Sequence, residues 1–391
     1  MNQQIVFESG EKFYRIPALI CLQKKESKIL LAFAEQRRTS KDETAEKLVM
    51  KKGEVNSSGK TVKWSELKVV EKAHLDKHRP MNPCPVYDKV KETLFLFFIC
   101  VEDGVDEDSQ KKNYQNKAQP CYITSTDFGE TWSDVIELRD KLSDIQAWAT
   151  FAFGPGHGIQ TESNRLIIPV NAYCSSCINS VWCWCCRTCC VSCLGWCCRK
   201  CYRDSWCNLD SYALSLYSDD YGDSWKFGKM FETKSGECQM AEISKEKIYC
   251  SARSTNKFRV ETFSDDNGIN FSKDKSAQKL VEVHTKSVLG CQGSVISFPA
   301  SDQSSDKWLL FTHPTGPGRM KLGVYLNKSP SDPKAWSEPK VINNGPSGYS
   351  DLAYIDDGWF ACLFECGKQD IHEQIAFVTF TEDVIKKNIP G

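Results

Sequence analysis

The sequence predicts an all-β protein, a propeller of about six four-stranded blades closed into one ring. Three observations support this prediction. An octapeptide pattern occurs three times, short apolar segments follow one another closely along the chain, and helical periodicity is almost absent. The octapeptides occupy residues 125–132 (STDFGETW), 218–225 (SDDYGDSW) and 264–271 (SDDNGINF).

Each octapeptide is predicted to be a hairpin turn between two strands. The shared pattern places Ser, Asp and Gly in fixed register and ends on an aromatic residue. Ser and Asp side chains bond nearby backbone N–H groups, and Gly adopts positive φ at little cost. The terminal aromatic ring can anchor the turn in the core. Repetition in one register favours a stacked or radial repeat architecture.

The predicted strands are short and evenly spread. The segment 93–100 (TLFLFFIC) is continuously apolar, which is typical of a strand buried on both faces. The ring is predicted to close by pairing an N-terminal strand with the last strand, 375–380. Weak helical candidates occur only near 136–147 and at the C-terminus. The other predicted strands are 16–21, 29–34, 47–50, 61–64, 121–124, 165–170, 212–217, 247–251, 258–263, 294–298, 308–312, 321–326 and 359–364.

Composition limits the function classes. The chain has 391 residues with 50 basic and 51 acidic side chains, so its net charge of −1 does not favour a general nucleic-acid binder. The N-terminal residues lack a basic region followed by an apolar one, and no stretch has the roughly 18 apolar residues of a membrane helix. We therefore expect a cytoplasmic or peripheral membrane protein without a signal peptide or a transmembrane helix.

Twelve of the 21 cysteines lie between Cys174 and Cys207, within a segment that is also rich in Trp, Arg and Lys. We interpret this segment as an insertion that leaves the ring from one face. Three interpretations of its function remain open: zinc binding through the pairs at 174/177 and 198/201, S-acylation with peripheral membrane contact, or a neutral insertion. A disulfide framework is disfavoured in the expected compartment.

Arg15, Arg253 and Arg319 stand near strand ends in separate repeats. A planar guanidinium binds a carboxylate through two parallel hydrogen bonds, so three converging arginines would suit an anionic ligand. A single arginine is more often a solvated surface charge. The meaning of these three therefore depends on the motifs around them.

Those motifs resemble the sialidase family. Residues 14–17 (YRIP) resemble its (F/Y)-R-I-P signature, and the octapeptides resemble its Asp boxes. The resemblance covers nearly the whole chain apart from the cysteine-rich insertion, and it implies a single six-bladed sialidase propeller domain over residues 1–391. Further segments similar to the animal sialidases are 31–37, 81–85, 148–158, 290–295 and 348–352; segments similar to the membrane-associated, ganglioside-cleaving branch are 97–101, 249–253 and 362–367.

The resemblance also implies catalytic roles. The three arginines would bind the carboxylate of sialic acid, with Glu365 holding Arg15. Tyr349 would be the nucleophile and Glu237 its base, while Asp42 would act as general acid and then as general base. Because the reacting carbon carries a carboxylate, a neutral phenol avoids the repulsion that a carboxylate nucleophile would meet, and sialidases are the known tyrosine exception among glycosidases.

Other residues correspond to the family's substrate pocket. Arg37, Glu35, Met81 and Asn82 would lie on the side of the N-acetyl and O4 groups, although Arg38 leaves the register there open to a shift of one. On the glycerol side the resemblance places Tyr173 and Gln292. One departure is Asn171, where the family often has Tyr, and it affects preference for the sugar side chain.

Taken together, the resemblance implies a retaining exo-α-sialidase that removes terminal sialic acids from gangliosides, oligosaccharides and glycoproteins through a tyrosyl intermediate. The implied mechanism needs no metal or other cofactor. The alternative is a non-catalytic, lectin-like propeller that binds sialic acid. Such a protein would keep the arginines but lose Tyr349, Glu237 or Asp42, and all three are present. A sialyl-transferring enzyme is a further alternative.

Overall fold

The computed structural model describes residues 2–56, 61–175, 208–284, 289–300 and 307–386. The protein is all-β, with antiparallel strands arranged as in a propeller. In chain order the strands are β1 (Gln4–Glu8), β2 (Phe13–Lys24), β3 (Ser27–Arg37), β4 (Ala45–Val55), β5 (Val62–Trp64), β6 (Lys68–Val69), β7 (His78–Asp88), β8 (Thr93–Glu102), β9 (Ala118–Ser125), β10 (Ile136–Glu137), β11 (Thr150–Phe153), β12 (Ile159–Gln160), β13 (Leu166–Ser175), β14 (Leu209–Ser218), β15 (Lys226–Phe227), β16 (Cys238–Ser244), β17 (Lys247–Ala252), β18 (Val260–Ser264), β19 (Ser294–Pro299), β20 (Lys307–Gly316), β21 (Met320–Asn327), β22 (Lys340–Asp356), β23 (Trp359–Cys366) and β24 (Gln374–Thr381).

The described strands form five sheets. Four of them have the orders β2-β3-β4-β5, β7-β8-β9-β10, β11-β13-β14-β15 and β16-β17-β18, with β6 added to β4 and β12 to β13. The fifth has seven strands in the order β1-β24-β23-β22-β21-β20-β19. Five sheets do not confirm the predicted count of six blades. The reason lies in the long strand β22, which pairs with β21 through 340–346 and with β23 through 347–356.

The predicted closure of the ring is confirmed. Strand β1 pairs antiparallel with β24, and Gln4 lies opposite Phe377. The inner strands contact one another across sheets: β2 contacts both β7 and β22, and β19 contacts both β16 and β22. Apolar side chains from adjacent sheets fill the space between them, including Phe97, Phe153 and Trp225. This arrangement brings residues from distant parts of the chain to one centre.

The three octapeptides form the predicted turns. In the first, Ser125 Oγ accepts the Gly129 N–H at 2.8 Å, and Asp127 accepts the Thr131 N–H at 2.9 Å. The serine–glycine contact is also 2.8 Å in the other two, from Gly222 to Ser218 and from Gly268 to Ser264. The three glycines have φ of 78°, 94° and 87°, which explains why glycine is needed there.

Helices are short. α1 is Glu107–Asn113, α2 is Glu382–Lys386, and single 3₁₀ turns cover Asp42–Thr44, Ser143–Ala147 and Pro333–Ala335. The helical candidate at 136–147 is wrong except for its 3₁₀ end, and α1 was not predicted. The C-terminal candidate is confirmed as α2. Across the part of the chain that the structure describes, no helix is long and apolar enough to cross a bilayer.

The cysteine-rich insertion lies outside the described residues except for its first two positions. Cys174 and Ser175 belong to β13, where they pair with Asp210 and Leu209 of β14. The insertion therefore starts after residue 175 rather than at 174, because the pairing of β13 with β14 extends to Ser175 and Leu209. Cys174 is fully buried, so this thiol is part of the core.

Candidate active site

A cleft of about 650 Å³ opens at the centre of the ring. Its walls combine residues from β2, β3, β7, β13 and β22 and from the connections after β3, β15, β17 and β20. Eleven of the thirteen predicted site residues line it: Arg15, Glu35, Arg37, Asp42, Met81, Asn82, Tyr173, Glu237, Arg253, Arg319 and Tyr349. The exceptions are Glu365 and Gln292, which lie behind the surface of the cleft.

Tyr349 and Glu237 form a direct pair. The Tyr349 hydroxyl donates to Glu237 Oε1 at 2.6 Å, and Arg253 Nη1 donates to the Tyr349 oxygen at 3.1 Å and to Glu237 Oε2 at 2.8 Å. β22 carries Tyr349, while Glu237 directly precedes β16 and Arg253 directly follows β17. The pairing of β16 with β17 thus places Glu237 and Arg253 side by side.

The phenol of Tyr349 is held neutral. It is only 7% exposed, and burial together with the adjacent Glu237 carboxylate raises its pKa well above the ordinary value. Arg253 and Arg319 oppose this shift without reversing it. A phenol of raised pKa does not ionise by itself at neutral pH, so it needs the hydrogen-bonded carboxylate to remove its proton.

The three predicted arginines surround this phenol. The guanidinium carbons of Arg15 and Arg319 lie 5.8 Å and 5.3 Å from the Tyr349 ring centre. Arg319 donates from Nη2 to the Gly290 carbonyl at 3.2 Å, and Arg253 donates to the Leu289 carbonyl at 2.7 and 3.0 Å. Three guanidinium groups around one tyrosine form a site that suits an anion next to its hydroxyl.

Glu365 anchors Arg15 from below. It is fully buried on β23 and accepts from Arg15 Nε at 2.6 Å and Nη2 at 3.3 Å. It also accepts the backbone N–H groups of Ile16 at 3.0 Å and Tyr349 at 3.1 Å. Burial favours the neutral acid, but Arg15 and these hydrogen bonds outweigh it and lower the pKa of Glu365. One carboxylate therefore positions both Arg15 and the backbone of Tyr349.

A second ion pair lies beside Arg15, on the adjacent strand β3. Arg37 is fully buried and donates to Glu35 Oε2 at 2.5 and 2.8 Å, while Glu35 Oε1 accepts the Asn82 N–H at 2.7 Å. The positive φ of Asn82, 57°, turns its N–H toward that carboxylate. Arg38 does not line the cleft, and its side chain is 67% exposed. Arg37, and not Arg38, is therefore the arginine of this segment that faces the cleft.

Asp42 stands at the cleft mouth on the 3₁₀ turn after β3. Its side chain is 64% exposed, and its Oδ1 accepts from Arg37 Nη1 at 2.5 Å. Partial desolvation favours its neutral form, yet Arg37 and Arg15 lower the pKa of Asp42 below its ordinary value. Both arginines also donate to the Ser40 carbonyl, at 3.2 and 3.4 Å. The Ser40 carbonyl therefore links the two ion-pair systems.

The remaining predicted residues differ in position. Met81, Tyr173 and Asn171 line the cleft. Gln292 does not line it: its amide donates to the Ser350 carbonyl at 3.0 Å and accepts the Ser350 N–H at 3.0 Å. Gln292 is 1% exposed and bonds to the strand β22 that carries Tyr349.

The lining of the cleft also includes residues that were not predicted, among them three charged ones. Arg79 lines it from β7, and Glu107 and Lys111 line it from α1. Lys111 Nζ lies 3.9 Å from the Tyr173 ring centre, so α1 forms a charged wall against that tyrosine. No sequence pattern pointed to α1, because its seven residues bury only Gln110 and show no apolar stripe.

Comparison with known proteins agrees with this geometry. Residues 28–362 match the family described as BNR repeat-like domain. The chain is 39% identical to Sialidase-3 of Bos taurus over 97% of its own length and 91% of that protein. It is also 39% identical to Sialidase-2 of Mus musculus, over 97% of this chain and 95% of the relative.

A solved structure supports the fold. The Trypanosoma rangeli sialidase in complex with 2,3-difluorosialic acid, described as a covalent intermediate, superposes with a TM-score of 0.67 at 16% identity. The superposition covers 96% of this chain and 55% of that longer chain. At this identity the likeness concerns fold alone, whereas the relatives at 39% identity establish the family. The chain belongs to the sialidase (neuraminidase) family of glycoside hydrolases, whose activity is that of exo-α-sialidases.

Proposed function

We propose that this protein is a retaining exo-α-sialidase that cleaves terminal sialic acids through a covalent tyrosyl intermediate. The observation that carries the proposal is the 2.6 Å hydrogen bond from the Tyr349 hydroxyl to Glu237. It lies at the floor of a cleft where Arg15, Arg253 and Arg319 approach the same ring. A neutral nucleophile with an attached base, next to three cations, suits an anomeric carbon that carries its own carboxylate.

In the first step, the Tyr349 oxygen bonds to the anomeric carbon while its proton passes to Glu237. The bond from that carbon to the leaving oxygen breaks, and Asp42 supplies the proton that this oxygen needs. Asp42 is exposed at the cleft mouth, where the remainder of a glycoconjugate would extend into solvent. The hydrogen bond from Arg37 favours the ionised form of Asp42. Asp42 can therefore be protonated only when the bound substrate weakens that contact.

In the second step, water replaces Tyr349 at the anomeric carbon. Asp42, now ionised, takes a proton from the water, and Glu237 returns its proton to the phenol. Two displacements at one carbon retain the configuration. The three arginines hold the substrate carboxylate throughout, and Glu365 keeps Arg15 in place.

We further propose gangliosides, with oligosaccharides and glycoproteins, as substrates. The insertion connects two strands that reach the cleft, since Tyr173 of β13 and Leu209 and Asp210 of β14 line it. Contact of this insertion with a peripheral membrane surface, through acylated cysteines, would bring the cleft to glycolipid head groups. Deleting residues 177–207 should then reduce ganglioside hydrolysis while hydrolysis of soluble sialyllactose is retained, and unchanged ganglioside hydrolysis would contradict this part.

The single domain and its six blades also remain proposals. We propose that the seven-stranded sheet comprises two blades joined by β22, because this strand changes partner near Ser347. Together with the other four sheets, this gives six blades over residues 1–391. A crystal structure that places 340–346 and 347–356 in one continuous blade would contradict the count.

The test uses a fluorogenic sialoside and the variant Tyr349→Phe. We expect the wild type to hydrolyse the sialoside and the variant to lose at least about 10³-fold in kcat, with binding of sialic acid retained. Binding without turnover in the wild type would leave the lectin-like alternative. Product analysis in the presence of an acceptor sugar separates hydrolysis from sialyl transfer.

A further inference from the structure

A buried ion pair lies behind two of the three arginines. Glu282 and Arg259 are 4% and 1% exposed, and Arg259 Nη1 donates to Glu282 Oε1 at 2.9 Å. Neither residue lines the cleft. Burying such a pair costs free energy unless hydrogen bonds satisfy its remaining polar atoms, so the partners of these two side chains indicate what the pair does.

The Glu282 carboxylate joins two chain segments. Its Oε1 accepts the Ser254 N–H at 3.0 Å, and its Oε2 accepts the Cys291 N–H at 3.1 Å. Arg259 adds a third connection, because its Nη1 donates to the Cys291 carbonyl at 2.8 Å. Burial alone would raise the pKa of Glu282, but Arg259 and His313 lower it to about 2, so the carboxylate stays ionised.

Both segments hold cleft arginines. Ser254 directly follows Arg253. Cys291 directly follows Leu289 and Gly290, whose carbonyl groups accept hydrogen bonds from guanidinium groups. Arg253 donates to the Leu289 carbonyl at 2.7 and 3.0 Å, and Arg319 donates to the Gly290 carbonyl at 3.2 Å. The segment 289–291 therefore sets the direction of two arginines, and Glu282 sets the position of that segment.

Packing leaves little freedom at this junction. A Cβ added to Gly290 would lie 2.8 Å from the Ser254 carbonyl oxygen, 3.1 Å from Arg253 Cγ and 3.1 Å from Glu282 Oε2. Gly290 also has φ of +72°, a backbone conformation that residues other than glycine rarely adopt. A small movement of the carboxylate would therefore be transmitted to both arginines.

We infer that Glu282 is a positioning residue for the sialidase reaction, acting through Arg253 and Arg319 rather than on the substrate. Its carboxylate ties the chain after Arg253 to the loop that directs both guanidinium groups. The consequence is specific: Glu282 governs recognition of the substrate's carboxylate and leaves the rest of the sugar to other residues. This inference rests on the function proposed above.

The test compares two unreactive ligands, a sialic acid analogue with its carboxylate and the same compound as a neutral carboxamide. In Glu282→Gln, an amide N–H₂ replaces one acceptor oxygen and faces a backbone donor. We expect kcat/KM to fall about 10- to 100-fold, since small misplacements of binding groups cost this much. We expect affinity for the carboxylate ligand to fall by a similar factor, while affinity for the carboxamide changes less than about 3-fold.

A matched control is Glu242→Gln. Glu242 is also buried, binds Lys307 at 2.9 Å and accepts the Glu162 backbone N–H, yet it does not line the cleft. Its variant should keep both affinities and the activity. If Glu282→Gln does not fold, Gly290→Ala perturbs the same contact without removing a charge and should show the same selective loss.

Two outcomes would overturn the inference: a parallel loss of affinity for both ligands, which indicates general damage, or wild-type affinity for both. A wild type that binds the carboxylate ligand without hydrolysing sialosides would refute the proposed function instead. The two affinities would still decide the role of Glu282 in that case.

Discussion

Glu365→Gln is the substitution whose effect follows most directly from the structure. Four N–H groups converge on the Glu365 carboxylate, two from Arg15 and one each from the backbone of Ile16 and Tyr349. In the variant, one oxygen becomes an N–H₂ group that faces two of these donors. The substitution keeps the volume of the side chain and changes only its charge and hydrogen bonding.

The expected magnitude comes from the lost contacts. Hydrogen bonds to charged groups contribute about 1.5–3 kcal/mol each, and removing one partner of a buried ion pair costs about 3–5 kcal/mol. We therefore expect Glu365→Gln to lower the free energy of unfolding by about 4 kcal/mol. With an unfolding entropy of about 2 cal/mol/K per residue, the thermal midpoint should fall by about 5 °C.

The pH dependence adds a second check. The pKa of Glu365 is lower in the folded protein than its ordinary value, so its stabilisation is present above that ordinary value. It is lost as the pH falls through the folded pKa. The stability difference between wild type and Glu365→Gln should therefore shrink at acidic pH.

The assay combines thermal unfolding from about pH 7 down to about pH 3, below the ordinary pKa of a glutamate, with kcat/KM for a fluorogenic sialoside. Loss of the anchor should reduce kcat/KM at least about 100-fold, because Arg15 and the nucleophile's backbone both shift. Glu130→Gln is the control, since Glu130 pairs with Lys52 and Lys68 at the surface and should change stability by less than about 1 kcal/mol. Wild-type stability and activity in Glu365→Gln would refute the reasoning.

Three further predictions concern the acid, the core and a turn. Asp42→Asn should lose about 10²- to 10⁴-fold in kcat/KM with sialyllactose but less with a phenolic leaving group, because a phenolate leaves without a proton; equal losses would argue against general acid catalysis. Burial raises the pKa of Glu261 to about 7, so wild-type stability should fall by about 3 kcal/mol as the pH rises from 4.5 past 7. Glu261→Gln should abolish that slope in denaturant titrations, and a slope that persists would assign it elsewhere. Gly222→Ala places a Cβ 2.3 Å from Phe95 and at φ of +94°, so urea unfolding should show a loss of about 1–3 kcal/mol. The control Gly10→Ala meets nothing within 4 Å and should be neutral.

The repeated turns and strand β8 could be predicted because each depends on local chemistry. The octapeptides specify a turn through contacts within a few residues, such as Ser125 with Gly129. The continuous apolar segment 93–100 is β8, buried along nearly its whole length. In both cases the signal lies in consecutive residues, and packing with distant residues does not alter it.

Strands β7 and β22 could not be predicted for a physical reason. β7 contains three prolines and the left-handed Asn82, features that argue against a strand in the middle of a sheet. β7 lies at the edge of its sheet, where missing N–H donors are tolerated. β22 contains Gly345, Pro346 and Gly348 at the point where it changes partner. Whether these two segments form strands therefore depends on their positions in the folded protein, which the sequence does not show.

The candidate site shows the same limit. Family resemblance identified eleven of the residues that line the cleft. It assigned Gln292 to the glycerol side, whereas the structure uses its amide on Ser350. It also gave no sign of α1, of Arg79 or of the ion pair of Glu282 with Arg259.

The residues that were not predicted belong to the network that positions the groups of the cleft. Each inward-facing arginine needs an acceptor that is not the substrate, because like charges brought together repel unless the protein fixes their positions. Arg15 uses Glu365, Arg37 uses Glu35, and Arg253 uses Glu237 together with the Leu289 carbonyl. Arg37 and Glu35 share β3, and the pairing of β16 with β17 joins Glu237 to Arg253. Arg15 on β2 and Glu365 on β23 are 350 residues apart in sequence and meet only in the folded ring. A sialidase site on this fold therefore depends as much on buried carboxylates as on the arginines they hold, and a variant that keeps every cleft residue can still lose carboxylate recognition.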